Sequence, residues 1–167
     1  MNILDGKIIN ANDGLNRKLM KSFKKLAIDM YGNDIRKSIV FNFLESDFED
    51  TSYIFLYVIK NKVVGCVYLR KQDYVFEEFF DDGVYEISNL FVLENYRHLG
   101  IATQLINKCE QIAKDNGVHT IASGFFDFNT ASKNLHLKNG FTPLKTEIHV
   151  IKNIWSSHFY QFASLID

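Results

Sequence analysis

Cysteine, proline and tryptophan are scarce in this chain, with two, one and one respectively among 167 residues. Cys66 sits in an apolar run and Cys109 on the apolar side of an expected helix, and neither belongs to a C-x-x-C pair. That argues against a disulfide framework or a thiolate zinc site and leaves two buried, reduced thiols as the expectation. There is no linker-like tract, low-complexity segment or internal repeat, so residues 1–167 are expected to form one domain around a single core. Neither sign of charge dominates: 19 basic and 20 acidic residues leave a formal net charge of -1. A global basic field that would favour nucleic acid or an anionic membrane is therefore missing. No window approaches the roughly 18 consecutive apolar residues of a membrane span, and the opening MNILDGKII has neither a basic nor a long apolar signal region. The expectation is a cytoplasmic protein with no nucleic-acid or membrane partner.

Several chemical signatures are missing as well. No G-x-G-x-x-G and no G-x-x-x-x-G-K-[ST] follows a strand, so dinucleotide and P-loop readings lack their glycines and their lysine. His98, His119, His149 and His158 are scattered and build neither H-E-x-x-H nor a His/Cys cluster, so no metal is expected. The G-x-S-x-G elbow of a serine nucleophile does not occur either.

What is present reads as alternating strands and amphipathic helices. GKIINAN, from Gly6, has the look of a short strand, after which Asn12 or Asp13 can cap a helix. Leu15, Leu19, Phe23, Leu26 and Met30 recur at helical spacing up to Gly32, with a basic outer face that reads as solvated. A second helix is expected from Asp34, with Ile35, Ile39, Phe43 and Leu44 inward, before the acidic run ESDFED. TSYIFLYVI and VVGCVYLR read as a β-hairpin turning at Lys60 to Lys62. QDYVFEEFFDDG is then read as a long hairpin tip before the strand VYEISNLFV. Ile87 and Leu90 lie three apart in that strand, which strict alternation cannot place on one face, so a β-bulge is expected between them. A helix from Ile101 to Asn116 carries Ile101, Leu105, Cys109, Ile112 and Ala113 on one side and closes at Gly117. VHTIASGFF is a strand, Asn129 to Asn139 a short helix closed by Gly140, and TPLKTEIHVI with WSSHFYQF a final antiparallel pair, entered at Pro143.

The chemistry concentrates where strand meets helix, in YRHLGIATQLI. A helix start leaves backbone N–H groups unpaired, and with the helix dipole they favour an anion at that end. Gly100 lets the main chain approach oxygen atoms, Ala102 keeps the first turn slim, and Arg97 offers a charge-assisted contact. The pattern R-x-x-G-x-A is weak alone but gains weight from the strand before it and the capped amphipathic helix it opens. An ordinary tight turn with a surface arginine is the competing reading.

The sequence resembles the GNAT superfamily of acyl-CoA-dependent N-acetyltransferases, whose signature Q/R-x-x-G-x-G/A is matched by RHLGIA, Arg97 to Ala102. The likeness runs from about Val84 to Phe141: the bulged strand ending in LFV, the loop, its helix, a strand, and NTASKNLHLKNGF. It implies a single-domain α+β fold with a mainly antiparallel mixed sheet and acetyl-CoA as cosubstrate. It further implies that the backbone of Phe91 and Val92 pairs with the pantetheine arm, and that N–H groups of His98, Leu99, Gly100, Ile101 and Ala102, beside Arg97, hold the pyrophosphate. Asn129 would touch the same arm, and Leu90 with the bulge would help splay two strands so the thioester fits between them.

Acetyl transfer needs a neutral amine, support for an oxyanion and a proton for the leaving thiolate. An alkylammonium near pKa 10 is mostly charged at neutral pH, so a carboxylate that takes its proton is useful. Glu86, eleven residues before Arg97, is the candidate base and matches the glutamate of the histone acetyltransferase branch; an ion pair or a solvated strand position is the bland alternative. The N–H of Val92 is the candidate oxyanion donor. Many relatives carry a tyrosine four residues before the final glycine, where this chain has His136, a candidate general acid or a packing residue. Lys133 and Lys138 could meet the coenzyme's 3′-phosphate or simply face solvent. Glu77, Glu78, Asp81 and Asp82, with Glu45, Asp47, Glu49 and Asp50, could rim an acceptor channel for a cationic amine, among Phe76, Phe79 and Phe80. The leading expectation is an N-acetyltransferase acting on a small amine by direct attack in a ternary complex. A protein or peptide acetyltransferase and a non-catalytic acyl-CoA sensor are the alternatives, and a homodimer is left open.

Overall fold

The computed structural model describes residues 5–32, 52–75, 78–126, 128–144 and 149–154. Seven strands build one mixed sheet among them: β1 (Gly6–Asn10), β2 (Ser52–Ile59), β3 (Lys62–Val75), β4 (Glu78–Val92), β5 (Thr120–Gly124), β6 (Thr142–Pro143) and β7 (His149–Asn153). Their order is β1-β2-β3-β4-β5-β7-β6, and every neighbouring pair is antiparallel except β4 with β5. Three helices among the described residues accompany the sheet: α1 (Arg17–Tyr31), α2 (Ile101–Asp115) and α3 (Thr130–Lys138). The α+β architecture expected from the sequence is the one observed.

Alternation along β2 sorts the core into two layers. Ile54, Leu56 and Val58 join Phe23, Leu26 and Ala27 of α1. Phe55, Tyr57 and Ile59 join Ile101, Leu105, Ile106, Cys109 and Ala113 of α2 on the other layer. Each side chain of Leu or Phe size buried in this way stabilises the fold by roughly 1.5–3 kcal/mol. Ile106 is fully buried although the helical pattern drew Ile112 inward in its place; Ile112 packs at the edge of the same cluster.

Five sequence expectations need correction or restriction. Asn16, rather than Asn12 or Asp13, caps α1, its Oδ1 accepting from the N–H groups of Lys18 and Leu19, both at 3.0 Å. Asn12 instead ties the first turn to β2, donating to Ser52 O at 2.8 Å and accepting from Ile54 N at 3.1 Å. The expected hairpin tip is mostly strand: β3 and β4 stay paired out to Tyr74 opposite Phe79 and Val75 opposite Glu78. The final pair forms within TPLKTEIHVI itself, β6 lying antiparallel to β7, while WSSHFYQF lies outside the described residues. The helix expected from Asp34, the run ESDFED, and Phe76 and Glu77 also lie outside them. The β2–β3 turn needs two residues rather than three: Lys60 and Asn61 both take left-handed φ angles, 47° and 63°, as a tight primed hairpin turn demands.

The expected bulge is present. Cys66 pairs with Phe91 and Tyr68 with Ser88, so Asn89 and Leu90 of β4 together oppose Val67. Asn89 adopts φ 51°, a left-handed conformation that asparagine tolerates better than a branched residue. The Cys66 thiol donates to Asn89 O at 3.5 Å, and burial pushes that thiol up to about 12.

Candidate active site

β4 and β5 run parallel for four register pairs, from Val84 with Thr120 to Ile87 with Ser123. The Ser123 hydroxyl closes this ladder by donating to Ile87 O at 3.2 Å. β5 then ends at Gly124, while β4 turns through its bulge and continues to Val92, so past Ile87 this side of β4 has no β5 partner among the described residues; that unpaired stretch is the β4–β5 gap. Leu93 donates its N–H to Val64 O on the β3 side at 2.9 Å. Successive amides of a strand face opposite edges, which turns the Val92 N–H toward β5 and the gap. Phe91 points its carbonyl toward β3, where a Cβ on Gly65 would meet it at 3.1 Å. Of the two backbone units implied for pantetheine, Val92 therefore offers its donor to the gap and Phe91 is turned away.

After Val92 the chain makes one 3₁₀ turn, Glu94–Tyr96, and enters α2 through His98 and Gly100, with φ angles of 61° and 77°. Left-handed residues in such a loop turn successive N–H groups into a concave, anion-binding arrangement. No side chain caps α2, so the N–H groups of its first turn have no acceptor within the helix. A Cβ added at Gly100 would meet nothing within 4 Å. Glycine is thus required by its backbone angle, and the space in front of the loop is open for a ligand. Ile101 is buried in the core and anchors the helix start, Ala102 packs beside it, and Leu99 is exposed.

Arg97 is arranged otherwise than the sequence suggested. Its Nε donates to Val92 O at 3.0 Å and its guanidinium stands 5.9 Å from the centre of the Phe91 ring, so it clasps the strand it follows. A cavity of about 470 Å³ lies on the α1 side of this turn, with Lys25, Asp29, Lys62, Phe91, Tyr96 and Arg97 among its walls. None of its lining residues comes from β5 or α3, which sets it apart from the β4–β5 gap.

Glu86 lies on β4 inside the paired part of the sheet. Its Oε2 accepts from Arg70 Nη2 at 3.4 Å and from Gln72 Nε2, both on β3. These partners fix the carboxylate. Sequence reasoning missed them because they become neighbours only through the antiparallel register that sets Arg70 opposite Glu86.

Asn129 caps α3, its Oδ1 accepting from Ser132 N at 3.1 Å, which leaves Nδ2 as its remaining donor. One turn further, His136 is 2% exposed and sits between Phe125, 5.6 Å away in a stacked arrangement, and Phe141, 5.1 Å away and edge-on. Its Nδ1 lies 2.9 Å from Ser132 O, an acceptor, so Nδ1 carries a proton. Nε2 is buried with no hydrogen-bond partner among the described residues. Burial lowers the His136 pKa from 6.5, against a smaller opposing effect of the Ser132 bond, so the resting ring is neutral and Nε2 is a bare acceptor. No hydrogen bond joins it to Glu86 among the described residues.

Asp82 is the one member of the acidic group whose contact is described: it lies 3.7 Å from His119 Nδ1 on an exposed edge. Among the described residues, no group of His, Cys, Asp and Glu side chains could hold a metal ion, and no helix is long and apolar enough to cross a membrane.

The Acetyltransferase (GNAT) family profile matches residues 14–141. No curated protein sequence matches the chain. Among solved structures, an acetyltransferase of the GNAT family from Staphylococcus aureus MU50 superimposes with a TM-score of 0.67 at 17% identity, covering 89% of this chain and 99% of that one. The aminoglycoside N-acetyltransferase AAC(6')-Iy in complex with CoA gives 0.71 at 18% identity, covering 84% and 90%. Aminoglycoside antibiotic 6'-N-acetyltransferase AAC(6')-IG from Acinetobacter haemolyticus gives 0.69 at 20% identity, covering 83% and 92%. At such identities these structures establish a common fold, and the profile supplies the rest: with 14–141 matched, the chain belongs to the GNAT family of acetyltransferases.

Proposed function

We propose that this enzyme moves the acetyl group of acetyl-CoA to a primary amine of a small cationic molecule, in the cytoplasm, by direct attack within a ternary complex, with residues 1–167 acting as one domain. The observation that carries the reading is the uncapped start of α2, with left-handed His98 and Gly100 before it, at the mouth of the β4–β5 gap. Pyrophosphate oxygens fit that loop because its N–H donors from His98 to Ala102 are fixed in place and the helix dipole favours negative charge. Arg97 serves by holding the end of β4 in register with the loop. The arm then runs along the open edge of β4, where Val92 offers its N–H, with Asn129 on the facing side.

Glu86 takes the ammonium proton, directly or through water, and Arg70 and Gln72 keep its carboxylate in position. Attack of the neutral amine on the thioester carbonyl builds an oxyanion that the Val92 N–H supports. His136 enters with Nε2 unprotonated, so it donates to the departing sulfur only after first accepting the proton that the nitrogen loses as the amide forms. The atoms balance: a C–N bond replaces the C–S bond, and one proton passes from nitrogen through His136 to sulfur.

The acceptor class draws on the acidic residues Glu78, Asp81 and Asp82 at the start of β4 and on the names of two similar structures, both aminoglycoside N-acetyltransferases. A thiol-release assay with acetyl-CoA across polyamines, aminosugars, amino acids and lysine peptides should give the highest kcat/KM for a small polycation. Activity confined to peptides would replace that acceptor class. Gly100→Val should weaken coenzyme A binding in calorimetry, and unchanged affinity would sink the anion-cradle reading.

A further inference from the structure

Two phenylalanines in the loop between β5 and α3 are exposed beyond what their chemistry favours. Phe126 is 70% and Phe128 79% exposed, and their rings lie parallel within 5°, centroids 5.2 Å apart. Both residues are tied to the start of α3 by backbone hydrogen bonds: Asn129 donates its N–H to Phe126 O at 2.8 Å, and Thr130 donates to Phe128 O at 3.1 Å. Both rings are thus anchored through the backbone at the start of α3 while remaining largely in water, and side by side they form one exposed apolar patch.

Their position supplies the occupant. β4 and β5 are parallel, so the loop that follows each leaves the same end of the sheet, and a ligand crevice lies outside the carboxyl ends of such strands. After β4 comes the anion cradle; after β5 comes this aromatic pair. Resting on the acetyl-CoA reading above, we propose that Phe126 and Phe128 form the platform on which the adenine of coenzyme A stacks. They would then select the complete coenzyme over its truncated arm. Adenine is the flat π-system of that cosubstrate and is joined to the pyrophosphate through a single ribose. Stacking on an aromatic ring needs no base-specific hydrogen bond, which suits a surface pair flanked by a helix cap.

Calorimetry of wild type, Phe126→Ala, Phe128→Ala and the double variant against coenzyme A and against 4′-phosphopantetheine, which lacks the adenosine, tests this. Loss of base stacking should weaken coenzyme A binding by roughly tenfold or more in the double variant. Affinity for 4′-phosphopantetheine should stay unchanged. Phe128→Trp, which keeps a π-face, should retain coenzyme A affinity, and in turnover the double variant should raise KM for acetyl-CoA at constant kcat. Equal losses for both ligands, or none for either, would overturn the proposal. A dimer of the wild type that dissociates in the double variant, with ligand discrimination intact, would overturn it in favour of a contact between two copies. Wild type binding coenzyme A while indifferent to the pair removes only the platform, whereas wild type binding neither ligand removes the acetyl-CoA reading beneath it.

Discussion

His136 couples the candidate chemistry to stability through one proton. Its pKa in the folded protein lies below the ordinary 6.5, so between those two values the unfolded chain binds the proton more readily. The stabilising contribution is therefore complete above about pH 6.5 and is lost as pH falls toward the folded value. Thermal melts from pH 7.5 to pH 5 should show a decline in Tm that is shallower in His136→Phe, whose ring suits the gap between Phe125 and Phe141. Identical slopes would contradict the burial argument. The thiols follow the same logic in the opposite direction: burial raises both Cys66 and Cys109, so their nucleophilic thiolates are suppressed. Native protein should resist a disulfide reagent at pH 8, and both cysteines should titrate once denaturant is added. From residues alone, Glu86, His136 and the thiols could be named, but not what surrounds them. The clamp of Arg70 and Gln72 on Glu86 depends on strand register, and the proton on Nδ1 of His136 depends on a carbonyl one helical turn away.

Helices proved more readable than the strands that pair late. α1 and α2 carry long apolar periodicities and polar or glycine ends, so burial and boundaries followed from spacing, although asparagines compete for the cap of α1 within a few residues. Asn16→Ala should cost about 1 kcal/mol, because two first-turn donors lose their acceptor. Asn12→Ala should instead loosen the attachment to β2, and urea titrations of the two variants measure the difference. The bulge was legible because Ile87 and Leu90 violate alternation in a strand that needs a buried face. The outer part of the β3–β4 hairpin was not, since backbone pairing can continue through polar sequence that shows no period. For β6 and β7 the sequence between them carries no Asn-Gly signal, so one run looked like one strand. At the bulge itself, Asn89→Gly should be tolerated, whereas Asn89→Val should destabilise by roughly 1–2 kcal/mol through left-handed strain on a branched residue.

Three distant parts of the chain meet at Lys152. Its ammonium binds Glu110 Oε1 of α2 at 2.7 Å and Asn139 O, at the end of α3, at 2.9 Å, from a position on β7. The side chains are 25% and 14% exposed, so removing the ammonium strands a mostly buried carboxylate and a helix-end carbonyl. Lys152→Ala should lower stability by about 1–3 kcal/mol in denaturant melts. Lys152→Met, which keeps the aliphatic stem, should recover little of that loss if charge pairing is the cause. The fold as a whole was accessible from the order of periodic segments and one signature loop. The opening between β4 and β5 was expected through the resemblance alone; its bounds were not legible, because they are set by where β5 stops and β4 does not.

That opening leaves the sheet unfinished along one seam. Past Ile87, β4 has no β5 register partner among the described residues, yet it continues through its bulge to Val92. An elongated guest carrying its own peptide-like groups would act there as a borrowed strand, and the empty enzyme would breathe most at this seam. Deuterium uptake at Val92 should accordingly be rapid in the unliganded protein and slow sharply on saturation, with the melting point rising alongside as mass action requires.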